Sequence, residues 1–283
     1  MMSHSPQVQT ATRMTVVGLP GTGLECGRGV HRRTCSIGLV PDYDPRLVDL
    51  YDEDNPDGPD HAFYRALADE TGAAEVLDLG CGTGILTVTL TQPGRSVVGI
   101  DPSANMLAYA KRRPGADAVE WVLGDSRRIP DQQFHYAVMT GSVAQHIPDA
   151  DWERTLRDLR AAMRPGAVLA FECRNPAARA WESWTSDSAT LRQTPHGDLW
   201  ESAEAEQIAP GLVKLTAHNV FQSTGDEVTE TVILSFRDSQ TIIGQLRLAG
   251  FEAEAIYGDW CRQPFTAASG LMVFVARAGR TPR

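Results

Sequence analysis

The chain has 283 residues, of which 42% are hydrophobic and 22% charged. At roughly 150 residues per domain that makes two domains, or one large domain with an insertion. The net charge of −10 argues against an extended contact with nucleic acid, whose partners need a basic surface, and no stretch nears the ~18 consecutive apolar residues of a membrane span. Five cysteines without a CxxC pair are expected to be thiols of a reducing, cytoplasmic compartment rather than a disulfide scaffold.

Residues 1–40 hold four arginines and one glutamate, a net of +3, which leaves −13 for the remainder. This segment is rich in Gly, Ser and Thr and has neither a 2.0 nor a 3.6 period, so it is expected to be a disordered leader. It lacks the 7–15-residue apolar run of a targeting peptide. Its "GLPGTG" lacks the Gly-Lys-Ser/Thr of a phosphate loop. Residues 41–60 then carry eight acids and one arginine and read as a loop or short helix. A helix is predicted over about 60–71, with Phe63, Leu67 and Ala68 on one face and Thr71-Gly72 at its end.

The stretch "AEVLDLGCGTGILTVTL" is an apolar run, a glycine-dense turn and a segment able to start a helix. Such a unit brings backbone close to a ligand and aims a helix N-terminus at it. Gly80, Gly82 and Gly84 form G-x-G-x-G, whereas the dinucleotide fingerprint needs G-x-G-x-x-G, and Ile85 stands where its third glycine belongs. Asp78, just before the turn, would repel a pyrophosphate and suits an ammonium group. The second strand, "SVVGID", ends at Asp101, 19 positions after Gly82, where an acid can take both hydroxyls of a ribose. A helix follows over "PSANMLAYAKRRPG", opened by Pro102 and Ser103, with Met106, Leu107 and Ala110 facing inward. The third strand ends in Gly124-Asp125, the fourth is "FHYAVMTG" and the fifth is "AVLAFECR". Between the last two, a helix of about 149–163 places Trp152, Leu156, Leu159 and Met163 on one face. Strand–helix repeats with binding-type residues at the strands' carboxyl ends predict an α/β fold with an open, doubly wound, Rossmann-like sheet.

Residues 175–237 are longer than such a fold needs. "DLWESAEAEQ", "GLVKLTAHNVFQ" and "EVTETVILSF" read as three strands of an antiparallel insertion, with Val213, Leu215, Ala217 and Phe221 alternating on one face. "SQTIIGQLRLAG" reads as a helix capped by Gly250, and "FEAEAIY" and "LMVFVARA" as the last two strands.

"VLDLGCGTG", "VVGIDPSANML", "LGD" and "AAMRPGAVLAFE" together resemble the motif series of class I S-adenosylmethionine-dependent methyltransferases. "VMTGSVAQ" and "ECRNPAARAWE" resemble segments of small bacterial methyltransferase-domain proteins, many of them actinobacterial, over residues 43–278. The resemblance implies a seven-stranded, mostly parallel sheet over residues 41–283, with the last strand antiparallel and residues 175–237 covering the substrate. It implies S-adenosylmethionine as cofactor, S-adenosylhomocysteine as product and methyl transfer to an O, N or C atom of a small metabolite; a non-catalytic cofactor-binding regulator is the alternative. Gly80, Cys81, Gly82 and Gly84 would lie against the methionine part, with Asp78 near its amino group. Asp101 would bind the ribose, with Pro102, Ser103 and Met106 beside the adenine, and Asp125 would accept from the adenine amine, with Ser126 adjacent. Thr140, Gly141 and Ser142 would lie beneath the sulfonium, and Tyr51 would close over the cofactor. His146, just past the fourth strand, is the candidate general base. Trp181, Trp184, His196, Trp200 and His218 are candidate substrate contacts. No metal is expected, and the protein is expected to be a monomer or homodimer. Deleting residues 1–40 is expected to leave S-adenosylhomocysteine affinity unchanged in a calorimetric titration; a weakened complex would give the leader a part in binding.

Overall fold

In the computed structural model, which describes residues 42–279, the apolar run before the glycine turn is the central strand β1 (Glu75–Leu79). It pairs in parallel with β2 (Ser96–Asp101) on one side and with β4 (Phe134–Met139) on the other. Beyond these lie β3 (Val119–Leu123) and β5 (Met163–Arg174), both parallel. The last two strands, β10 (Phe251–Tyr257) and β11 (Leu271–Ala278), complete the order β10-β11-β5-β4-β1-β2-β3, and β11 runs antiparallel to both its neighbours. The chain leaves β1 toward β2 and β3, then returns to the other side for β4. That reversal between β1 and β4 opens a crevice at the strands' carboxyl ends, the usual ligand position in open α/β sheets. The +3 leader inferred for residues 1–40 lies outside the described residues.

Both faces of the sheet are covered at its centre, which explains why β1, β4 and the end of β5 are apolar runs, whereas the edge strand β10, FEAEAIY, alternates. Leu77, Ala137 and Met139 pack with Trp152, Leu156 and Leu159 of α5 (Asp149–Ala162) and with Ile242 and Leu246 of α6 (Ser239–Ala249). Val76, Tyr136 and Val138 point the other way, onto Phe63, Tyr64 and Leu67 of α2 (Pro59–Glu70). The sheet's other helices are α1 (Pro45–Asp54), α3 (Ala104–Ala110) and α4 (Val143–His146). Among the described residues no helix is long and apolar enough to cross a membrane.

Three elements depart from the sequence-based expectations. The acidic stretch after residue 41 holds a capped helix, α1, whose Asp44 side chain accepts from Arg46 N–H. The segment after the glycine turn is only a 3-10 turn, Thr87–Leu90. Its β-branched Thr87, Val88 and Thr89 favour a helix weakly, and Pro93 follows closely. The insertion has four strands rather than three: β6 (Thr190–Thr194), β7 (Gly197–Ala209), β8 (Leu212–Phe221) and β9 (Asp226–Ser235), paired antiparallel in sequence order. β6 escapes pattern reading because Leu191 is its one apolar residue. The insertion's inner face buries Val213, Leu215, Ala217, Val232 and Leu234 around Trp181 and Phe236. Leu199 and Phe221, at the end nearer the crevice, pack on Leu47 and Leu50 of α1.

Gly99 on β2 is set by packing. A Cβ there would stand 2.9 Å from the Trp121 ring and 3.1 Å from Cys81 Sγ. Gly99→Ala is expected to cost about 1–3 kcal/mol through overpacking, read as a lower urea midpoint with the slope unchanged; an unshifted midpoint would show that Trp121 yields freely.

Candidate functional site

At the end of β1 the chain turns through Gly80, Gly82 and Gly84, with φ of 82°, 53° and 75°. These values lie in the left-handed region that only glycine enters without strain. Two of the positions are also crowded: a Cβ would stand 2.5 Å from Val143 at Gly80 and 2.6 Å from Trp121 at Gly84. The turn is held to β2 by Gly80 and Cys81 N–H groups donating to Ile100 carbonyl oxygen at 2.7 and 3.0 Å. Gly82 N–H donates to Asp101 Oδ2 at 2.8 Å. The other oxygen, Oδ1, accepts from Ser103 N–H at 2.8 Å, and Ser103 Oγ caps α3 by accepting from Met106 N–H. Burial pushes the Asp101 carboxyl up to about 6, against those two hydrogen bonds. Asp78 Oδ2 accepts from the Thr87 hydroxyl at 2.7 Å, while Oδ1 is buried without a partner. Its carboxyl is pushed up to about 7, chiefly by burial.

The opposite wall is the turn after β4. Gly141 and the non-glycine Ser142 both have positive φ, 74° and 63°. A non-glycine residue there persists only where its surroundings enforce it. The enforcing group is Glu172 on β5, whose carboxylate accepts from Ser142 N–H and from the Tyr64 hydroxyl. Burial pushes Glu172 up to about 7. Thr140 Oγ1 is a further buried polar atom without a partner.

Helix α1 forms the roof. Asp52 accepts from the Thr83 hydroxyl at 2.7 Å and pairs with Arg113, whose Nε donates to Thr83 carbonyl oxygen at 2.5 Å. On its other flank Arg192 of β6 meets Glu53 at 2.7 Å and Asp54 at 2.9 Å, and Arg46 meets Asp226 at 2.9 Å. Walls and roof enclose a cavity of about 30 Å³, enough for about two waters.

Of the sequence-predicted residues, the cavity brings together Tyr51, Gly80, Gly82, Asp101, Pro102, Met106, Thr140, Gly141 and His146. Tyr43 and Val143 also line it; Tyr43 carries no sequence signal beyond being aromatic in an acidic stretch. Asp78, Cys81, Gly84, Ser103 and Ser142 are not among its lining residues. Asp125 and Ser126 are not part of it. Asp125 pairs with Arg127 at 2.6 Å, and Ser126 donates to Asp158 at 2.7 Å.

The substrate candidates separate. Trp181 is a core residue of the insertion, edge-on to Phe236 at 4.5 Å. Trp184 faces the Arg174 guanidinium at 5.1 Å. His196 is spent on α1, 3.1 Å from Asp49. Trp200 and His218 turn away from the face that packs on α1. The register pairs Leu199 with Phe221 and Glu201 with Asn219 on the inner face, so Trp200 opposite Val220 and His218 opposite Ser202 and Thr229 fall on the outer face. Glu172 went unassigned although it carries the same signal as Asp78 and Asp101, an acid at the carboxyl end of an apolar strand.

Glu172→Ala leaves the Tyr64 hydroxyl and Ser142 N–H unpaired in the interior and is expected to cost about 1–3 kcal/mol for each donor. Glu172→Gln, which keeps an accepting oxygen, is expected to cost less. Urea denaturation of both variants checks this; equal midpoints would remove Glu172 as the anchor of the turn.

Residues 76–166 match the family model described as "Methyltransferase domain". A malonyl-[acyl-carrier protein] O-methyltransferase of Pectobacterium atrosepticum is 32% identical over 136 residues, 46% of this chain and 53% of that protein. A trans-aconitate 2-methyltransferase of an Azoarcus species is 38% identical over 49% of this chain and 51% of its own. The chain thus spans about half the length of these curated relatives. The sugar N-methyltransferase of a Streptoalloteichus species shares the fold, with a TM-score of 0.66 at 20% identity over 88% of this chain and 99% of that one. Glycine turn, strand-end acids and strand order agree with the match of residues 76–166 to a methyltransferase domain, and the fold is that of the methyltransferase structures it resembles.

Proposed function

We propose that the β1–β4 crevice binds S-adenosylmethionine and that the protein transfers its methyl group to a small-molecule acceptor. The observation that carries this reading is the convergence of the glycine turn, Asp101 and the Thr140–Gly141 turn on one cavity roofed by Tyr51. The residues fit the cofactor. Backbone at Gly80 and Gly82 lies open to a ligand, and a Cβ at Gly80 would destroy the turn. Asp78 Oδ1 and Thr140 Oγ1 are buried polar atoms in want of a partner, and an ammonium group meets the first of these needs. Asp101 keeps a lone pair on each oxygen for ribose hydroxyls. Asp125 and Ser126, by contrast, reach an adenine only after Asp125 gives up Arg127.

When bound, the cofactor supplies a methyl group already activated by its sulfonium. The protein's work is then alignment, and well-aligned reactants reach effective molarities of about 10⁵–10⁸ M. Gly141 and Ser142, held by Glu172, position the face from which the acceptor approaches. Tyr43 and Tyr51 exclude water once α1 has closed. His146, at the cavity edge, takes the proton of an oxygen or nitrogen nucleophile; a carbon nucleophile already carrying its charge needs no base. Residues 175–237 cover the acceptor, with Trp184 set against the Arg174 guanidinium at the end of β5. The family's range of acceptors and the acidic surface favour a small metabolite over nucleic acid, in a cytoplasmic monomer or homodimer.

The raised carboxyls of Asp78 and Asp101 set a pH dependence. Between about pH 4 and pH 7 the native state holds protons that the unfolded chain has released, so these groups make the unliganded protein less stable as pH rises through that window. A bound cation favours the ionised forms, so S-adenosylmethionine affinity is expected to rise across the same window, with protons released on binding. Calorimetry at about pH 5.5 and about pH 8 measures both. Asp101→Ala is expected to weaken binding at least about tenfold, as loss of charged hydrogen bonds does. A thermal shift with NAD and none with S-adenosylmethionine would overturn the reading.

A further inference from the structure

Among the described residues the side chains of Arg95, Arg192 and Arg237 are at most 9% exposed, and each meets a carboxylate, of Asp69, Asp54 and Asp149 respectively. Arg174, the last residue of β5, is half-buried beside the crevice and differs from them. Its side-chain hydrogen bonds run from Nη1 alone, to Ser142 Oγ at 3.2 Å and Gln145 Oε1 at 3.3 Å, both neutral acceptors. Nε and Nη2 donate to no group among the described residues. The nearest carboxylate in sequence, Glu172, is committed to Ser142 N–H and Tyr64. Desolvation pulls the Arg174 pKa below the usual arginine value, and Glu172 only partly offsets this.

A second donor stands in the same corner. Gln145 is 1% exposed. Its Oε1 accepts from both the main-chain N–H and Nη1 of Arg174, at 3.0 and 3.3 Å, yet Nε2 of the same amide has no acceptor. A buried amide nitrogen left without a partner costs about 1–3 kcal/mol, so a guanidinium fork and an amide both short of acceptors mark a place for an anion. The corner adjoins the methyl-transfer site. Ser142 stands between Gly141 and Val143, which line the cavity, and Trp184 of the insertion lies over the guanidinium at 5.1 Å.

Resting on the methyltransferase reading above, we infer that Arg174 and Gln145 receive a carboxylate of the acceptor, with Trp184 against the carbon skeleton that joins it to the methylated atom. The acceptor class is then a carboxylic acid, such as an amino or hydroxy acid. One guanidinium balances one negative charge, which suits a carboxylate. A phosphate dianion would bring a second charge toward Glu172. The planar fork also matches two carboxylate oxygens side by side.

The test uses protein saturated with S-adenosylhomocysteine. Acetate, neutral acetamide and inorganic phosphate are titrated as probes, followed by calorimetry and by the fluorescence change of Trp184 against a Trp184→Phe control. Acetate is expected to saturate at millimolar concentration, with acetamide and phosphate at least about tenfold weaker. Arg174→Gln is expected to abolish the preference for acetate over acetamide. Arg174→Lys, which keeps the charge without the fork, is expected to retain part of it. S-Adenosylhomocysteine affinity should stay within about threefold in both variants, showing that the crevice still folds. Acetate bound no better than acetamide, bound equally by Arg174→Gln, or bound more weakly than phosphate overturns the inference. Absence of S-adenosylhomocysteine binding to the unaltered protein refutes the cofactor reading instead; the same titrations on unliganded protein then decide the carboxylate site.

Discussion

The carboxylate of Asp101 is the constraint on which the binding crevice depends. One oxygen holds Gly82 N–H at the bottom of the glycine turn and the other holds Ser103 N–H at the entrance to α3. A single side chain thereby ties the end of β1, the end of β2 and the start of the next helix. Its burial raises the energy of the charged form, and the two N–H groups answer that only in part. Such a group cannot be replaced by an apolar one without leaving two donors unpaired in a medium where that is costly. The ordering of Met106, which α3 brings to the cavity, follows from the same anchor.

Across the crevice Glu172 does a corresponding task. It holds the backbone of Ser142, a residue in a conformation that its side chain disfavours, and it is itself held by Tyr64 of α2. The two carboxylates therefore pin the two turns that face each other at the switch point, each from the strand next to the one the turn leaves. Backbone strain of this kind needs a rigid support, and both supports rise from the central, fully covered part of the sheet. The roof differs in kind. It is attached by the apolar contacts of Leu47, Val48 and Leu50 and by ion pairs that range from the largely buried Arg192–Asp54 to the more exposed Arg46–Asp226.

How far the sequence speaks follows from the range of the forces involved. The strands of the main sheet were legible because a covered strand is a short apolar run bounded by turn residues, and the strand-end acids and glycines are visible in the same few positions. The fold class followed, and the topology agrees with it. The 3-10 turn after Gly84 was not legible, since glycine spacing says nothing of how weakly Thr87, Val88 and Thr89 support a helix. The alternation of Val213, Leu215, Ala217 and Phe221 already sets His218 on the opposite face of β8, while the side taken by Trp200 is fixed only by the β7–β8 register. The latch of Asp52 with Thr83 and Arg113, and the corner around Arg174 and Gln145, join residues from separate elements. Each is an ordinary polar residue in its own neighbourhood, and their meaning arises only when the sheet brings them together.

The attachments of α1 have a consequence for the order in which the molecule assembles. Its side-chain partners lie 31, 61, 138 and 180 positions away along the chain, at Thr83, Arg113, Arg192 and Asp226. The insertion, by contrast, is closed by hairpins such as Thr194 paired with Gly197. Contacts of long sequence separation form only after the entropy of closing large loops has been met. The contacts that seat the first described helix therefore form only once the elements that carry Thr83, Arg113, Arg192 and Asp226 have been brought together.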